Sequence, residues 1–158
     1  MTLSRAETRL AELGLKLPPD WTPMGKFLPF RRDGTMVYLS GQVCEWDGKV
    51  THTGPVPNTP EGVATAKQAA KICALNLLYR LRGACEGDLD RVDCVLRLGG
   101  FVQCETGFAA SPLVINGATE LFIELFGEHG WHARTAVGVP GLPGNASVEV
   151  DAVVRLSA

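Results

Sequence analysis

The stretch ARTAVGVPGLPGNASVEVDAVVRL, residues 133–156, constrains the fold more than any other part of the chain. Two alternating, β-branched runs flank a loop rich in Gly, Pro and Asn, so the segment reads as a hairpin. Successive side chains of a strand point to opposite sides, which puts Val148, Val150, Ala152, Val154 and Leu156 on one face. That face demands a core. Glu149 shares the other face with Asp151, Val153 and Arg155, and Arg134 stands at the start of the first run. Both charges interrupt runs that are otherwise strongly apolar.

The remaining elements follow from local signals. Ser4 with Glu7 matches a capping box, Leu3, Ala6, Leu10 and Leu13 recur at helical spacing, and Gly14 is placed to end a short helix. KLPPDWTP then makes an extended link, because consecutive prolines restrict their predecessors and donate no amide proton. KFLPFRRDGTMVYLSGQV reads as two strands joined at Arg32-Asp33-Gly34, and CEWDGKVTH repeats the device at Asp47-Gly48, giving a three-stranded meander. Thr59-Pro60 opens a long helix to about Gly83, with Val63, Ala66, Ala70, Cys73, Leu77 and Leu81 as its apolar stripe.

A strand follows in RVDCVLRLGGFV, with Val92, Cys94, Leu96 and Leu98 alternating against Asp93, Val95 and Arg97. Ser111-Pro112 opens a further helix that turns Val114, Ala118, Leu121, Phe122 and Leu125 inward and stops at Gly127. The order is a short helix and then β-β-β-α-β-α-β-β. Such an order is expected to give an α+β mixed sheet with helices on one face, the bare face being covered by another copy of the chain.

Bulk properties narrow the function. A chain of 158 residues suits one domain, here residues 1–158, with 1–24 as helix and linker and 25–156 as the core. The net charge is −2 and no three basic residues occur in a row, which disfavours nucleic acid as a partner. A charged, amphipathic start and the lack of a long apolar run argue for a cytoplasmic protein without a membrane partner. Five cysteines without a C-x-x-C pair suit reduced, packed thiols, and Cys104 is the best thiol-nucleophile candidate among them. His129 and His132 flank a glycine and have no third ligand nearby, so they are read as turn residues and no metal is expected.

Two residues carry the chemical interest. The guanidinium of Arg134 is a rigid fork matched to a carboxylate, serving either an ion pair at a surface or interface or a bound acid. Ala136 and Gly138 follow it on the same side and, being small, would leave a void beside it. Glu149 is either solvated or lines a pocket, where desolvation would raise its pKa toward the range useful for proton transfer.

SGQV at residues 40–43, INGATELFIELFGEHGWHAR and RTAVGVPGLPGNASVEVDAVV together resemble the RidA family, also called YjgF or endoribonuclease L-PSP. The likeness spans roughly residues 25–156, and its most specific block runs from Arg134 through Ala152. The resemblance implies a chorismate-mutase-like fold, a homotrimer with pockets between subunits, and no cofactor. It further implies an enamine/imine deaminase that hydrolyses 2-imino or 2-enamino acids such as 2-aminoacrylate to 2-keto acids and ammonia. In that scheme Arg134 binds the substrate carboxylate, Glu149 positions the attacking water, and Gly41, Asn116, Ala136 and Phe27 line the site. The family commonly has cysteine where Ala136 stands and tyrosine where Phe27 stands. A non-catalytic trimer that binds small carboxylic metabolites is therefore the alternative.

Overall fold

Ser4 starts the first helix, α1 (Arg5–Glu12), by the reciprocal device expected of it. Its hydroxyl accepts from the Glu7 amide at 3.1 Å, and Glu7 Oε2 accepts from the Ser4 amide at 3.2 Å. Gly14, at φ +70°, lets the Gly14 and Leu15 amides return to the carbonyls of Ala11 and Leu10, which satisfies the last turn. Ala6 and Leu10 are buried, whereas Leu3 and Leu13 remain exposed because this short helix packs along one narrow stripe. The computed structural model describes residues 3–20 and 25–158. Residues 16–20 of the proline-rich link have no regular secondary structure, and its remainder, residues 21–23, lies outside the described residues.

Strands β1 (Phe30–Asp33) and β2 (Met36–Val43) pair antiparallel around Gly34. The expected meander does not continue. Strands β3 (Glu45–Trp46) and β4 (Lys49–Val50) form a separate two-stranded ribbon, turned by Asp47 and Gly48 with positive φ at both. The second helix, α2 (Pro60–Ala84), begins where Thr59 Oγ1 accepts from the Gly62 amide at 3.0 Å. Its buried surface is wider than a stripe: Ala69, Ala74, Leu75 and Leu78 join Ala66, Ala70, Cys73, Leu77 and Leu81, as befits a helix laid across a sheet, while Val63, expected in the stripe, is only half-buried in the first turn.

Strand β5 (Val92–Gln103), helix α3 (Ser111–Phe126) and strand β6 (Ala133–Val139) make a crossover unit, so β5 and β6 are parallel. Two irregularities in the pairing of β5 change which residues face the core. Val95, Leu98 and Val102 are buried, while Cys94 and Leu96 are only half-buried, contrary to simple alternation. Between α2 and α3 the backbones approach so closely that a Cβ on Gly117 would strike the Lys67 carbonyl oxygen.

The last strand, β7 (Val148–Leu156), buries Val148, Val150, Ala152, Val154 and Leu156 as its alternation requires. It is not the partner of β6. The five-stranded sheet runs β1-β2-β7-β5-β6, with β7 antiparallel to both β2 and β5. The predicted terminal hairpin is thus replaced by a connection that passes over β5. This connection finds its bonds elsewhere: Ser147 N donates to the His52 carbonyl at 3.0 Å, Gly54 N to that of Asn145 at 2.8 Å, and Ser147 Oγ to that of Gly54 at 2.8 Å.

Helices α2 and α3 cover one face of this mixed sheet. Its other face carries Tyr38 (50 % exposed) and Val137 (41 % exposed), with Phe101, Glu149 and Val153 half-buried. The α+β architecture expected from the element order is the one observed.

Candidate functional site

Arg134 is the second residue of the edge strand β6 and pairs in register with the fully buried Leu98. Its side chain therefore lies on the helix-covered side, against α3. Nη1 donates to Asn116 Oδ1 at 2.8 Å and to Thr119 Oγ1 at 3.0 Å, and Nη2 donates to the Pro112 carbonyl at 3.2 Å. Asn116 and Thr119 are three apart on one helix, so they rise on the same face and meet the guanidinium together. Three neutral acceptors take three of its five N–H donors; Nε has no partner among the described residues. The positive charge is held in place but not neutralised, since no carboxylate of the described residues forms an ion pair with it.

Ala136 stands in the same row as Arg134, paired with Gly100. A Cβ on Gly138 would lie 2.5 Å from Cys104 Sγ, so of the two small residues in this row Gly138 is covered by the thiol. Burial pushes the Cys104 thiol up in pKa, which opposes a nucleophilic role. All five cysteines are free, with Cys44, Cys73 and Cys85 buried, in keeping with packed thiols.

Glu149 belongs to the other face. It pairs with Phe101 on one side and Val43 on the other. The pairing of β2 with β7 breaks register between Leu39 and Gln42, and Gly41 sits in that bulge beneath the carboxylate. A Cβ on Gly41 would collide with Glu149 Oε1 and lie 3.0 Å from Cδ. Burial, and next the charge of Asp151, raise the pKa of Glu149 above the ordinary carboxylate value. Asp151 itself is tied to Arg97, 3.2 Å away.

Phe27 precedes β1 and is 49 % exposed. The backbone beside it is anchored next to Gly41, because Ser40 Oγ donates to the Leu28 carbonyl at 2.7 Å and Ser40 N to that of Pro29 at 3.0 Å. The six residues singled out from sequence thus fall into two groups. Arg134, Asn116 and Ala136 meet at the β6 edge on the helix side; Glu149 and Gly41 meet on the open side, with Phe27 on the segment alongside. Within one chain Arg134 and Glu149 therefore lie on opposite faces of the sheet.

Sequence reasoning missed Thr119 and the Pro112 carbonyl as partners of Arg134. Their signal was present in the spacing of Asn116 and Thr119, which places two acceptors on one helical face. His132 was read as a turn residue, and its Nδ1 does lie 2.7 Å from the Gly130 carbonyl oxygen; its Nε2 also meets Thr119 Oγ1 at 3.0 Å. Among the described residues no group of three or more His, Cys, Asp or Glu side chains is placed to hold a metal ion. No helix of the described residues is long and apolar enough to cross a membrane.

Residues 7–156 match the family described as "YjgF/chorismate mutase-like, putative endoribonuclease". Protein TCP17 of Trypanosoma cruzi is 38 % identical over 154 residues, covering 97 % of this chain and 95 % of that protein. The crystal structure of Atu1372 from Agrobacterium tumefaciens, a protein of unknown function, is 42 % identical with a TM-score of 0.88, over 97 % of this chain and 93 % of that one. An endoribonuclease-named protein of Shewanella oneidensis is 30 % identical with a TM-score of 0.89, over 96 % of this chain and 99 % of that one.

Proposed function

Because this chain belongs to the YjgF or RidA family, we propose that it is an enamine/imine deaminase, hydrolysing reactive 2-imino or 2-enamino acids to 2-keto acids and ammonia. The observation that carries this reading is the guanidinium of Arg134, oriented by Asn116, Thr119 and the Pro112 carbonyl yet left without a counter-charge. A small carboxylate supplies what it lacks. A rigid, already oriented fork binds that group at less entropic cost than a free side chain.

The site is proposed to be completed between subunits. Arg134 occupies an exposed sheet edge, and Glu149 an open sheet face with Tyr38 and Val137 exposed on it. A neighbouring copy set against that face, in a homotrimer, would bring one protomer's guanidinium to the other's carboxylate. Glu149 then accepts a proton from water as the oxygen forms its bond to the imine carbon, and the C=N π pair moves to nitrogen. Glu149 returns that proton to the nitrogen, giving a carbinolamine; its hydroxyl proton then passes through Glu149 to the nitrogen as the carbonyl forms, the C–N bond breaks and ammonia leaves. Water and imine yield keto acid and ammonia, so the step balances without a cofactor or a covalent enzyme intermediate.

The experiment couples the purified protein to an amino-acid oxidase or a PLP-dependent dehydratase that releases imino acids and follows ammonia and keto acid. Acceleration abolished by Arg134→Ala is the expected result. No acceleration across several side chains would discard the deaminase. Ala136 favours the second reading, a trimer that binds carboxylic metabolites without turnover, because the Arg134 half then offers no thiol. Saturable binding of 2-keto acids without catalysis would select it.

A further inference from the structure

The bond network behind Arg134 has a direction, and His132 sets it. The Gly130 carbonyl can only accept, so the ring nitrogen 2.7 Å from it, Nδ1, carries the proton. In the neutral ring Nε2 is then an acceptor, and the Thr119 hydroxyl, 3.0 Å away, donates to it. With its proton so committed, Thr119 Oγ1 presents lone pairs to Arg134 Nη1, also at 3.0 Å. The opposite tautomer would direct a second N–H at the hydroxyl and free its proton to point toward the guanidinium.

We propose that His132 is a positioning residue for Arg134: its Nδ1–H tautomer, acting through Thr119, holds the guanidinium in the plane that receives the substrate carboxylate. This deepens the reading of Arg134 as a carboxylate clamp and rests on it. The surroundings keep the ring neutral. Half-burial disfavours the imidazolium, the charge of Arg134 on β6 acts in the same sense, and the Gly130 carbonyl opposes them only in part. Helix α3 contributes the uncharged Thr119 to this contact. Protonation would make Nε2 a donor, leaving two cationic groups to share one hydroxyl oxygen and the hydroxyl proton without its acceptor.

The test uses the intact protein with pyruvate as the probe, and the variants Thr119→Val, His132→Phe, His132→Gln and Arg134→Ala. Thr119→Val keeps the shape and removes the hydroxyl that joins His132 to Arg134, and His132→Phe keeps an aromatic ring and removes both ring nitrogens; His132→Gln restores an acceptor near the position of Nε2. Each of the first two is expected to weaken pyruvate binding by about tenfold, the pair by no more than either alone, and His132→Gln to recover most of the loss. Nitrogen-15 spectra of His132 are expected to report the Nδ1–H tautomer, and the Arg134 Nη signals, separated by hindered rotation, to merge in Thr119→Val. The proposal is overturned by the Nε2–H tautomer, by wild-type pyruvate binding in both single variants, or by fully additive losses. If Arg134→Ala binds pyruvate as well as the wild type, or the wild type binds none, it is the carboxylate reading that fails, while the spectra still judge the network.

Discussion

Arg134 stands in register with Leu98 and Glu149 with Phe101, three residues along the same strand, which places the guanidinium and the carboxylate on opposite faces of one sheet. β5 separates their strands, so no rotamer change brings the two groups together in a single copy. If they act on one substrate they do so across an interface. This predicts complementation. Arg134→Ala and Glu149→Ala proteins, each inactive alone, are expected to regain activity when mixed, dissociated and reassembled, with about one quarter of the interfaces intact under random mixing. Ammonia release from the mixture checks it; a mixture as inactive as its components would place both residues of a site in one chain.

Arg134 meets three acceptors with a planar fork, and a lysine offers a single point charge. Arg134→Ala is expected to cost roughly 2–5 kcal/mol in binding of a buried carboxylate, hence more than about tenfold in kcat/KM. Arg134→Lys is expected to recover only a small part. Steady-state kinetics with a series of imino acids provides the measurement.

The raised pKa of Glu149 has a sign that unfolding measurements can read. Folded Glu149 holds its proton more readily than the unfolded chain, whose reference value is 4.5. Its favourable contribution is therefore complete below that value and is lost as pH rises through the folded pKa. Glu149→Gln, neutral throughout, is expected to be more stable than the wild type at pH 7, the gap closing toward pH 4. Urea unfolding at both pH values tests this, and a gap independent of pH would contradict it.

Gly41→Ala inserts a Cβ where Glu149 Oε1 now lies. The carboxylate must swing away or the bulge must shift, at about 1–3 kcal/mol. The double variant Gly41→Ala, Glu149→Ala is expected to regain much of that stability, because the clash is with the side chain alone. Thermal or denaturant unfolding of the two single variants and the double decides the matter.

The family description includes the word endoribonuclease, but the chain has a net charge of −2 and no run of three basic residues. Single-stranded RNA is expected to remain intact on incubation with the protein, by gel electrophoresis. Cleavage that disappears in Glu149→Ala would assign a nuclease activity to this site.

Much of the molecule was legible from neighbours in the chain. The caps at Ser4 and Thr59, the stop at Gly127, the turns at Gly34 and Gly48 and the buried face of β7 all follow from steric and hydrogen-bonding preferences acting over four residues or fewer. Val95 was assigned to the wrong face because the irregular pairing of β5 with β7 depends on the partner strand, which local alternation does not specify. His132 was half understood: its contact with Gly130 is local, but Thr119 reaches it from another element.

Sequence alone determined which segments become helix or strand and which side of the regularly paired β7 is apolar, since those are properties of φ, ψ and side-chain chemistry along the chain. Only the tertiary structure decided that β7 enters between β2 and β5, for a loop of Gly, Pro and Asn permits a hairpin and a longer crossing equally. In the crossing that forms, residues near His52 and Gly54 bind the loop backbone. By the same step it settled that Arg134 and Glu149 face opposite ways, because strand order and register are set by contacts distant in sequence.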